Sequence, residues 1–163
     1  MSNPIIKKFD VYLAGPFFND EQKAKMDKVK ALCELIGFSV ADPRKLGPVI
    51  VDTPDKKKTP EFFKKIFDGN INGMDESHFI LACLDDKDIG TSFELGFMFC
   101  SGKPIISFAF GEGKTNVMLG QAVDFHASSY EELEEFLKLN INEYQKDPDL
   151  WCPMKLSKAE SNE

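Results

Sequence analysis

Residues 78–84, HFILACL, form an almost unbroken apolar run of strand length. A strand with one face in water alternates apolar and polar residues, so this run is typical of a strand that is covered on both faces. Residues 9–15 and 104–110 have the same character, and apolar residues at helical spacing lie between the runs. We therefore predict alternating strands and helices, which form a mostly parallel α/β sheet with helices on both faces.

Local signals set the bounds of the first two predicted helices. Asn19 is a capping residue before the first helical pattern, and Gly37 lies where a C-terminal cap belongs. Residues 38–41 follow as a second short strand. Thr59, which is followed by proline, begins the second helix, and Gly73 is its predicted end.

The second half of the chain carries two further predicted helices. Residues 91–102 form the first of them, and its terminal glycine closes it. After the strand at 104–110, we predict a polar loop over residues 111–120 and a last strand over 121–125. A capping box at residues 128–131 begins the last helix, which is predicted to end at about Leu139.

Size and charge restrict the class of protein. The chain has 163 residues, enough for one domain, which we assign to residues 1–145 with a polar C-terminal tail over 146–163. Its formal net charge of −7 argues against a nucleic-acid polymer as partner, because such proteins need a basic face. No apolar run approaches the roughly 20 residues that cross a bilayer, so we predict no membrane partner.

The cysteine and histidine content argues against a metal site. The four cysteines form no C-x-x-C pair and are predicted to be reduced thiols in a cytoplasmic protein. With only two histidines and no Cys/His cluster, the chain offers no pattern typical of a transition-metal site. Neither G-x-G-x-x-G nor a P-loop motif occurs, so we predict no cofactor that is bound by its phosphates.

The site is expected at the carboxyl ends of the strands, where open parallel sheets bind their ligands. This rule selects the turn at Gly15, the loop after Ala41, residues 85–94 and the loop after Phe110. Loops as long as residues 42–58 are usually functional in a compact domain.

Three side chains in these segments could carry chemistry. Glu94 lies in a helix whose other residues are nearly all apolar, and a carboxylate is costly to bury there unless it is paired or functional. A plainer interpretation is that Glu94 caps the first helical turn. Asp88 in isolation reads as a solvated loop residue. Tyr12 reads as a core aromatic whose hydroxyl needs a buried partner, for which a carboxylate is one candidate.

Four segments, in this order, resemble the nucleoside 2-deoxyribosyltransferase family: Y-L-A-G-P-F-F at 12–18, D-x-x-x-x-x-E-L-G at 88–96, S-G-K at 101–103 and N-x-M at 116–118. The resemblance covers about residues 9–140. It implies a flavodoxin-like, doubly wound sheet of five strands. It also implies an enzyme that moves 2-deoxyribose from one nucleobase to another, with deoxyribonucleosides and free bases as its small-molecule partners.

The resemblance assigns roles by position. Glu94 matches the nucleophile, which would form a covalent deoxyribosyl ester and give ping-pong kinetics. Tyr12 matches the residue that orients this glutamate, and Asp88 matches a candidate acid for the departing base. Phe18 matches an aromatic that flanks the base, and Gly15 in the same segment is a predicted substrate-binding residue.

Other matches concern the subunit contact and the base. Asn116 and Met118 match a loop that the family contributes from a neighbouring subunit, which implies a homo-oligomer (dimer-based, tetramer or hexamer) with shared active sites. Asn70 stands where the best-known members have an aspartate, and an amide cannot replace a carboxylic acid as proton donor. Arg44 falls where some members place Gln, and it would favour carbonyl edges or a phosphate.

Two alternatives remain open from the sequence. A related hydrolase would cleave the N-glycosidic bond of a deoxynucleoside 5′-monophosphate with the same Glu94, but the turn at residues 16–18 is apolar and poorly suited to phosphate. Arg44 and the lysines at 56–58 favour that hydrolase. A non-catalytic nucleoside-binding protein on the same fold is the third possibility, and retention of both Asp88 and Glu94 argues against it.

Overall fold

The computed structural model describes residues 6–50, 54–111 and 115–153, and within these ranges five strands alternate with five α-helices. The strands are Phe9–Ala14 (β1), Val40–Ala41 (β2), Ser77–Cys83 (β3), Ile105–Phe108 (β4) and Phe125–Ala127 (β5). The helices are Asp20–Ile36 (α1), Pro60–Asp75 (α2), Ile89–Cys100 (α3), Val117–Ala122 (α4) and Tyr130–Lys146 (α5). Parts of the predicted 42–58 connection, 111–120 loop and C-terminal tail lie outside the described residues.

All the strand pairs are parallel, and the strand order is β2-β1-β3-β4-β5. This order confirms the predicted doubly wound, flavodoxin-like α/β fold. Tyr12 pairs with Ile80, and Ala14 pairs with Ala82, so β1 and β3 run side by side at the centre. The chain changes winding direction between these two strands. A ligand crevice is therefore expected outside their carboxyl ends.

Alternate residues of β1 enter two different cores, as the pleat of a strand requires. Val11 and Leu13 point to the face that α1 and α5 cover. Tyr12 and Ala14 point to the opposite face, which α2, α3 and α4 cover. Because helices cover both faces of β1 and β3, their apolar runs need no alternation with polar residues.

The predicted helix caps are largely confirmed. The Asn19 side chain accepts a hydrogen bond from the Gln22 N–H, and Gly37 ends α1 with a left-handed φ of 117°. The Thr59 side chain accepts from the N–H of Phe62 at the start of α2.

The predicted end of α2 at Gly73 is wrong, because the helix continues to Asp75. A side chain at position 73 would clash with its neighbours, because a Cβ there would lie 2.3 Å from Cδ1 of Leu46 and 3.4 Å from Cε2 of Tyr12. One turn earlier, a Cβ at Gly69 would lie 2.1 Å from the Leu46 carbonyl oxygen. The two glycines therefore allow the connection after β2 to lie directly on α2, beside the ring of Tyr12.

The prediction for residues 111–125 is also wrong in part. Val117–Ala122 form helix α4, and the last strand is Phe125–Ala127 rather than residues 121–125. The Asn116 side chain begins α4 by accepting from the Met118 N–H at 2.9 Å. A helix of this length carries too little apolar periodicity to be distinguished from a loop in the sequence.

Helix α5 is longer than predicted and begins one residue later. Its cap is Ser129, which accepts from the Glu132 N–H, while Glu132 accepts in turn from the Ser128 N–H at 2.8 Å. The helix passes Leu139 and ends at Lys146, because buried Tyr144 extends its apolar face. Beyond it, the Trp151 ring packs 5.4 Å from the ring of Tyr144.

Candidate active site

Tyr12 and Glu94 form a hydrogen-bonded pair between the centre of the sheet and α3. Tyr12 has no exposed surface, and its hydroxyl donates to Oε1 of Glu94 at 2.6 Å. Glu94 lies on the inward side of α3, near buried Leu95 and Met98. The two residues are far apart in sequence, so the fold alone brings them together.

The surroundings of Glu94 favour its protonated form. Burial raises the pKa of Glu94 to about 7, the hydrogen bond from Tyr12 opposes this rise, and the negative charge of Asp88 adds to it. Burial and the charge of Glu94 raise the pKa of Tyr12 far above its ordinary value. Tyr12 is therefore a permanent hydrogen-bond donor, and Glu94 is a carboxyl group that can change its charge near neutral pH.

Asp88, and not Glu94, caps helix α3. Its Oδ2 accepts from the Thr91 N–H at 2.8 Å and from the Thr91 hydroxyl at 2.7 Å. Asp86 and Lys87, immediately before it, have left-handed φ angles of 65° and 48°. These are uncommon conformations for residues other than glycine, and they fold the chain sharply from β3 into α3.

A cavity of about 650 Å³ opens beside Asp88. Its polar lining includes Lys87, Asp88, Ser92, Thr115 and Asn116. Tyr12, Glu94 and Met118 are not among its lining residues. Asp88 and Asn116 therefore line one cavity, and Tyr12 and Glu94 form a hydrogen-bonded pair outside its lining. The negative charge of Asp88 acts on that pair, because it raises the pKa of Glu94.

Among the described residues, the remaining predicted site residues form no hydrogen bond to the Tyr12–Glu94 pair and are not part of the cavity lining. A Cβ at Gly15 would lie 2.4 Å from Cε of Met26, so this turn needs a glycine. The side chains of Phe18 and Met118 are 78% and 75% exposed. The side-chain oxygen of Asn70 is buried and has no hydrogen-bond partner among the residues described.

Arg44 is held by acids that the sequence analysis did not single out. Its Nε and Nη2 donate to the two oxygens of Asp42 at 2.9 and 2.8 Å, and Nη2 also donates to Asp27 at 2.7 Å. Its guanidinium lies 4.6 Å from the ring centroid of Phe17. Burial alone would raise the pKa of Asp42, but the hydrogen bonds from Arg44 outweigh it and lower that pKa. The sequence does carry a signal for the Asp42–Arg44 pair, because the acid lies two residues before the arginine at the end of a predicted strand.

Within residues 6–50, 54–111 and 115–153, no cluster of three or more His, Cys, Asp or Glu side chains could hold a metal ion. Over the same part of the chain, no helix combines the length and the apolar character needed to cross a membrane.

The comparisons with known proteins agree with the fold. A family model described as nucleoside 2-deoxyribosyltransferase matches residues 11–141. Among curated proteins, no sequence matches this chain.

Three solved structures are similar. A 2-deoxyribosyltransferase from Bacillus psychrosaccharolyticus superposes with a TM-score of 0.67 at 23% identity, covering 78% of this chain and 91% of its own. A conserved protein from Enterococcus faecalis V583 gives 0.68 at 17% identity, with 83% and 99% covered. A CMP N-glycosidase from Clostridium botulinum gives 0.54 at 17% identity, with 81% and 99% covered. At these identities the likeness shows the fold alone.

Proposed function

Because this chain belongs to the nucleoside 2-deoxyribosyltransferase family, we propose that it transfers 2-deoxyribose between nucleobases of 2′-deoxyribonucleosides. The observation that carries the proposal is the buried pair of Tyr12 and Glu94, joined at 2.6 Å. A partly buried carboxyl group with one hydrogen-bond donor and a raised pKa is suited to act on a developing positive charge.

Glu94 is the proposed nucleophile. One carboxylate oxygen attacks C1′ of the deoxyribose, the C1′–N bond breaks, and the departing base leaves with the bonding electrons and takes up a proton. The resulting ester is opened when a nitrogen of a second base attacks C1′ from the opposite side, gives its N–H proton to the group that protonated the first base, and returns the carboxylate. Two inversions give overall retention and ping-pong kinetics.

Tyr12 fixes the direction of attack. Its hydroxyl occupies Oε1 of Glu94, which leaves Oε2 for C1′. The same hydrogen bond lowers the pKa of Glu94 against the effect of burial, so it favours the ionised form that the reaction needs. Tyr12 is therefore proposed as an orienting residue that also sets the ionisation of the nucleophile.

Asp88 is the proposed acid for the departing base. Its Oδ2 is occupied by the backbone and hydroxyl of Thr91, so Oδ1 is the oxygen that can face the cavity. Asn116 lines the same cavity and is proposed to contact the sugar. Gly15 and Phe18 are proposed to border the substrate at the turn after β1.

Asn70 is proposed to contact the base. Its side-chain oxygen is a buried acceptor without a partner among the described residues, and such a group costs free energy unless a ligand satisfies it. An N–H of a nucleobase is the donor that the family relationship suggests.

The outer face of α3 supports a homo-oligomer. Ile89, Phe93 and Phe99 are 85%, 54% and 58% exposed, and a Cβ at Gly96 would meet nothing within 4 Å. A helix that is apolar on all sides is typical of a buried element. In a protein of net charge −7, an uncharged face is also where a second copy meets the least repulsion. We propose that a second copy covers this face and that Met118 serves the neighbouring site.

Phe93→Asp would place a charge on this face, so it is expected to reduce the mass of the protein measured by analytical ultracentrifugation.

The second candidate is an N-glycosidase that acts on a 2′-deoxynucleoside 5′-monophosphate. Lys87 favours it, because this cation lines the cavity beside Asp88. Arg44 no longer favours it, since Asp42 and Asp27 already neutralise its guanidinium.

Base exchange tests the proposal directly. The protein is incubated with 2′-deoxyinosine and free adenine, and with 2′-deoxyinosine 5′-monophosphate in a parallel reaction, and products are separated by chromatography. Formation of 2′-deoxyadenosine supports the transferase. Release of the 5-phosphorylated sugar without exchange supports the glycosidase. Binding without either product would leave a nucleoside-binding protein.

A further inference from the structure

Asp85 has a buried carboxylate that the proposed mechanism does not use. Its side chain is 8% exposed, and its Oδ2 accepts from Nζ of Lys25 at 2.8 Å. The backbone N–H groups of Phe110 and Gly111 donate to the same carboxylate at 3.2 and 3.0 Å. Burial alone would raise the pKa of Asp85, but these donors outweigh it and lower that pKa. Asp85 is therefore a fixed negative charge.

These contacts join three segments at the carboxyl end of the sheet. Lys25 belongs to α1, Asp85 begins the turn that leads to Asp88, and Phe110 and Gly111 follow β4. A Cβ at Gly111 would lie 3.1 Å from Oδ1 of Asp85, so the glycine lets the loop approach the carboxylate.

A second residue of α1, Gln22, also contacts the turns at the carboxyl end of the sheet. The Phe18 N–H donates to the side-chain oxygen of Gln22 at 2.9 Å, and the amide nitrogen of Gln22 donates to Asp86 at 3.1 Å. One helix therefore holds the turns that follow β1, β3 and β4. Removing one partner of a buried ion pair leaves an uncompensated charge, so the Lys25–Asp85 contact is the critical one.

We propose that Lys25 and Asp85 are positioning residues, which hold the turn before Asp88 against the backbone that follows β4, at the end of the sheet where the cavity lies. This inference rests on the proposed function, because the cavity beside Asp88 is the proposed site. The pair is proposed to contact neither sugar nor base. It acts by fixing the position of the turn that carries Asp88.

The test compares Lys25→Met, which keeps the length of the side chain and removes its charge, with Lys25→Arg, which keeps the cation. Lys23→Met is the matched control on the same helix, because Lys23 pairs at 3.4 Å with a fully exposed Asp20. Lys25→Gln replaces the first variant if Lys25→Met does not fold. Each protein is measured for kcat and KM, for thermal unfolding, and for hydrogen exchange at the amides of Phe110 and Gly111.

For Lys25→Met we expect an increase in KM for the deoxynucleoside of about tenfold with a smaller fall in kcat, and faster exchange at both amides. Lys25→Arg should restore KM to within about threefold, and Lys23→Met should leave all values unchanged. A lower unfolding temperature with unchanged kcat, KM and amide exchange would overturn the inference, because the pair would then only stabilise the fold. If the wild type processes no nucleoside, the proposed function fails, and unchanged amide exchange in Lys25→Met would still refute the positioning role separately.

Discussion

The molecule contains the same chemical pair at opposite ends of its sheet. Tyr12 donates to Glu94 at 2.6 Å on the side where the strands end, and Tyr144 donates to Asp10 at 2.5 Å on the side where they begin. Both tyrosines are at most 2% exposed. The hydrogen bond itself does not distinguish a reactive pair from a structural one.

The difference lies in the remaining partners of each carboxylate. Oδ2 of Asp10 also accepts from the Ser39 N–H at 2.6 Å and from its hydroxyl at 2.7 Å, so the residue before β2 adds two donors to the one from Tyr144. Among the described residues, Glu94 has one donor, Tyr12, and a negative neighbour, Asp88. Both oxygens of Asp10 are therefore occupied by hydrogen bonds, whereas one oxygen of Glu94 has no donor among the described residues and is available for reaction.

The largest expected effect separates the two carboxylates. Glu94→Ala should lower base exchange by about a thousandfold or more, because it removes the proposed nucleophile. Asp10→Ala should leave the kcat of the folded protein within about twofold and lower the free energy of unfolding by about 2 kcal/mol, because the Ser39 N–H and the Tyr144 hydroxyl lose their acceptor. Exchange rates and urea unfolding of both variants provide the measurement. Full activity in Glu94→Ala would refute the proposed mechanism.

The two tyrosines provide the next comparison. Tyr12→Phe should lower kcat/KM by about ten- to a hundredfold and move the rising limb of the pH–rate profile to higher pH. The hydrogen bond from Tyr12 lowers the pKa of Glu94, so its loss raises that pKa. Tyr144→Phe should leave that profile in place and cost about 1 kcal/mol of stability. If both variants gave the same pH–rate profile as the wild type, Tyr12 would be no more than a core residue.

The stability of the protein should also depend on the charge of Glu94. Its pKa in the folded state is about 7, above its ordinary value near 4.3 when unfolded, so the folded state holds the proton longer. Stability therefore falls as pH rises between these values and stays lower above about pH 7. The amide oxygen of Gln in Glu94→Gln can still accept from Tyr12 but does not titrate. The free energy of unfolding of this variant, relative to that of the wild type, should therefore increase by about 2 kcal/mol as the pH rises from about 5 to about 8.

Thermal unfolding across this pH range measures the difference. Glu21→Gln, on the exposed first turn of α1, is the control for the loss of one negative charge. A constant difference between Glu94→Gln and wild type at all pH values would show that Glu94 does not titrate in this range.

The fold was largely predictable because its signals are local. The apolar run of β3 and the caps Asn19, Gly37 and Thr59 report on burial and backbone geometry within a few residues. Gly73 was misinterpreted because its cause is tertiary: Leu46 occupies the space that a side chain would need. Helix α4 was missed because six residues carry no clear period.

The site was predictable only in part, and for a related reason. An acid in an apolar helix identified Glu94 as unusual, but its hydrogen bond to Tyr12 spans 82 positions and depends on the sheet order. Asp42 lies two residues before Arg44, which is a local signal, but Asp27 contacts Arg44 from α1, and no local pattern joins those two residues. Charge balance at a site is a property of the packed fold.

Asn70 extends the comparison to an acceptor that has no donor at all among the described residues. Asn70→Asp would replace an amide, which offers both donor and acceptor, with a carboxylate that only accepts when ionised. The variant should therefore favour bases with an amino group, adenine and cytosine, over bases with an oxo group, hypoxanthine and thymine, by about three- to tenfold in relative kcat/KM. Asn72→Asp, an exposed position on the same helix, makes the same change of charge and should leave the ratio unchanged. Competition between paired bases measures the ratio, and an equal shift in both variants would mean that long-range charge, and not contact with Asn70, sets the preference.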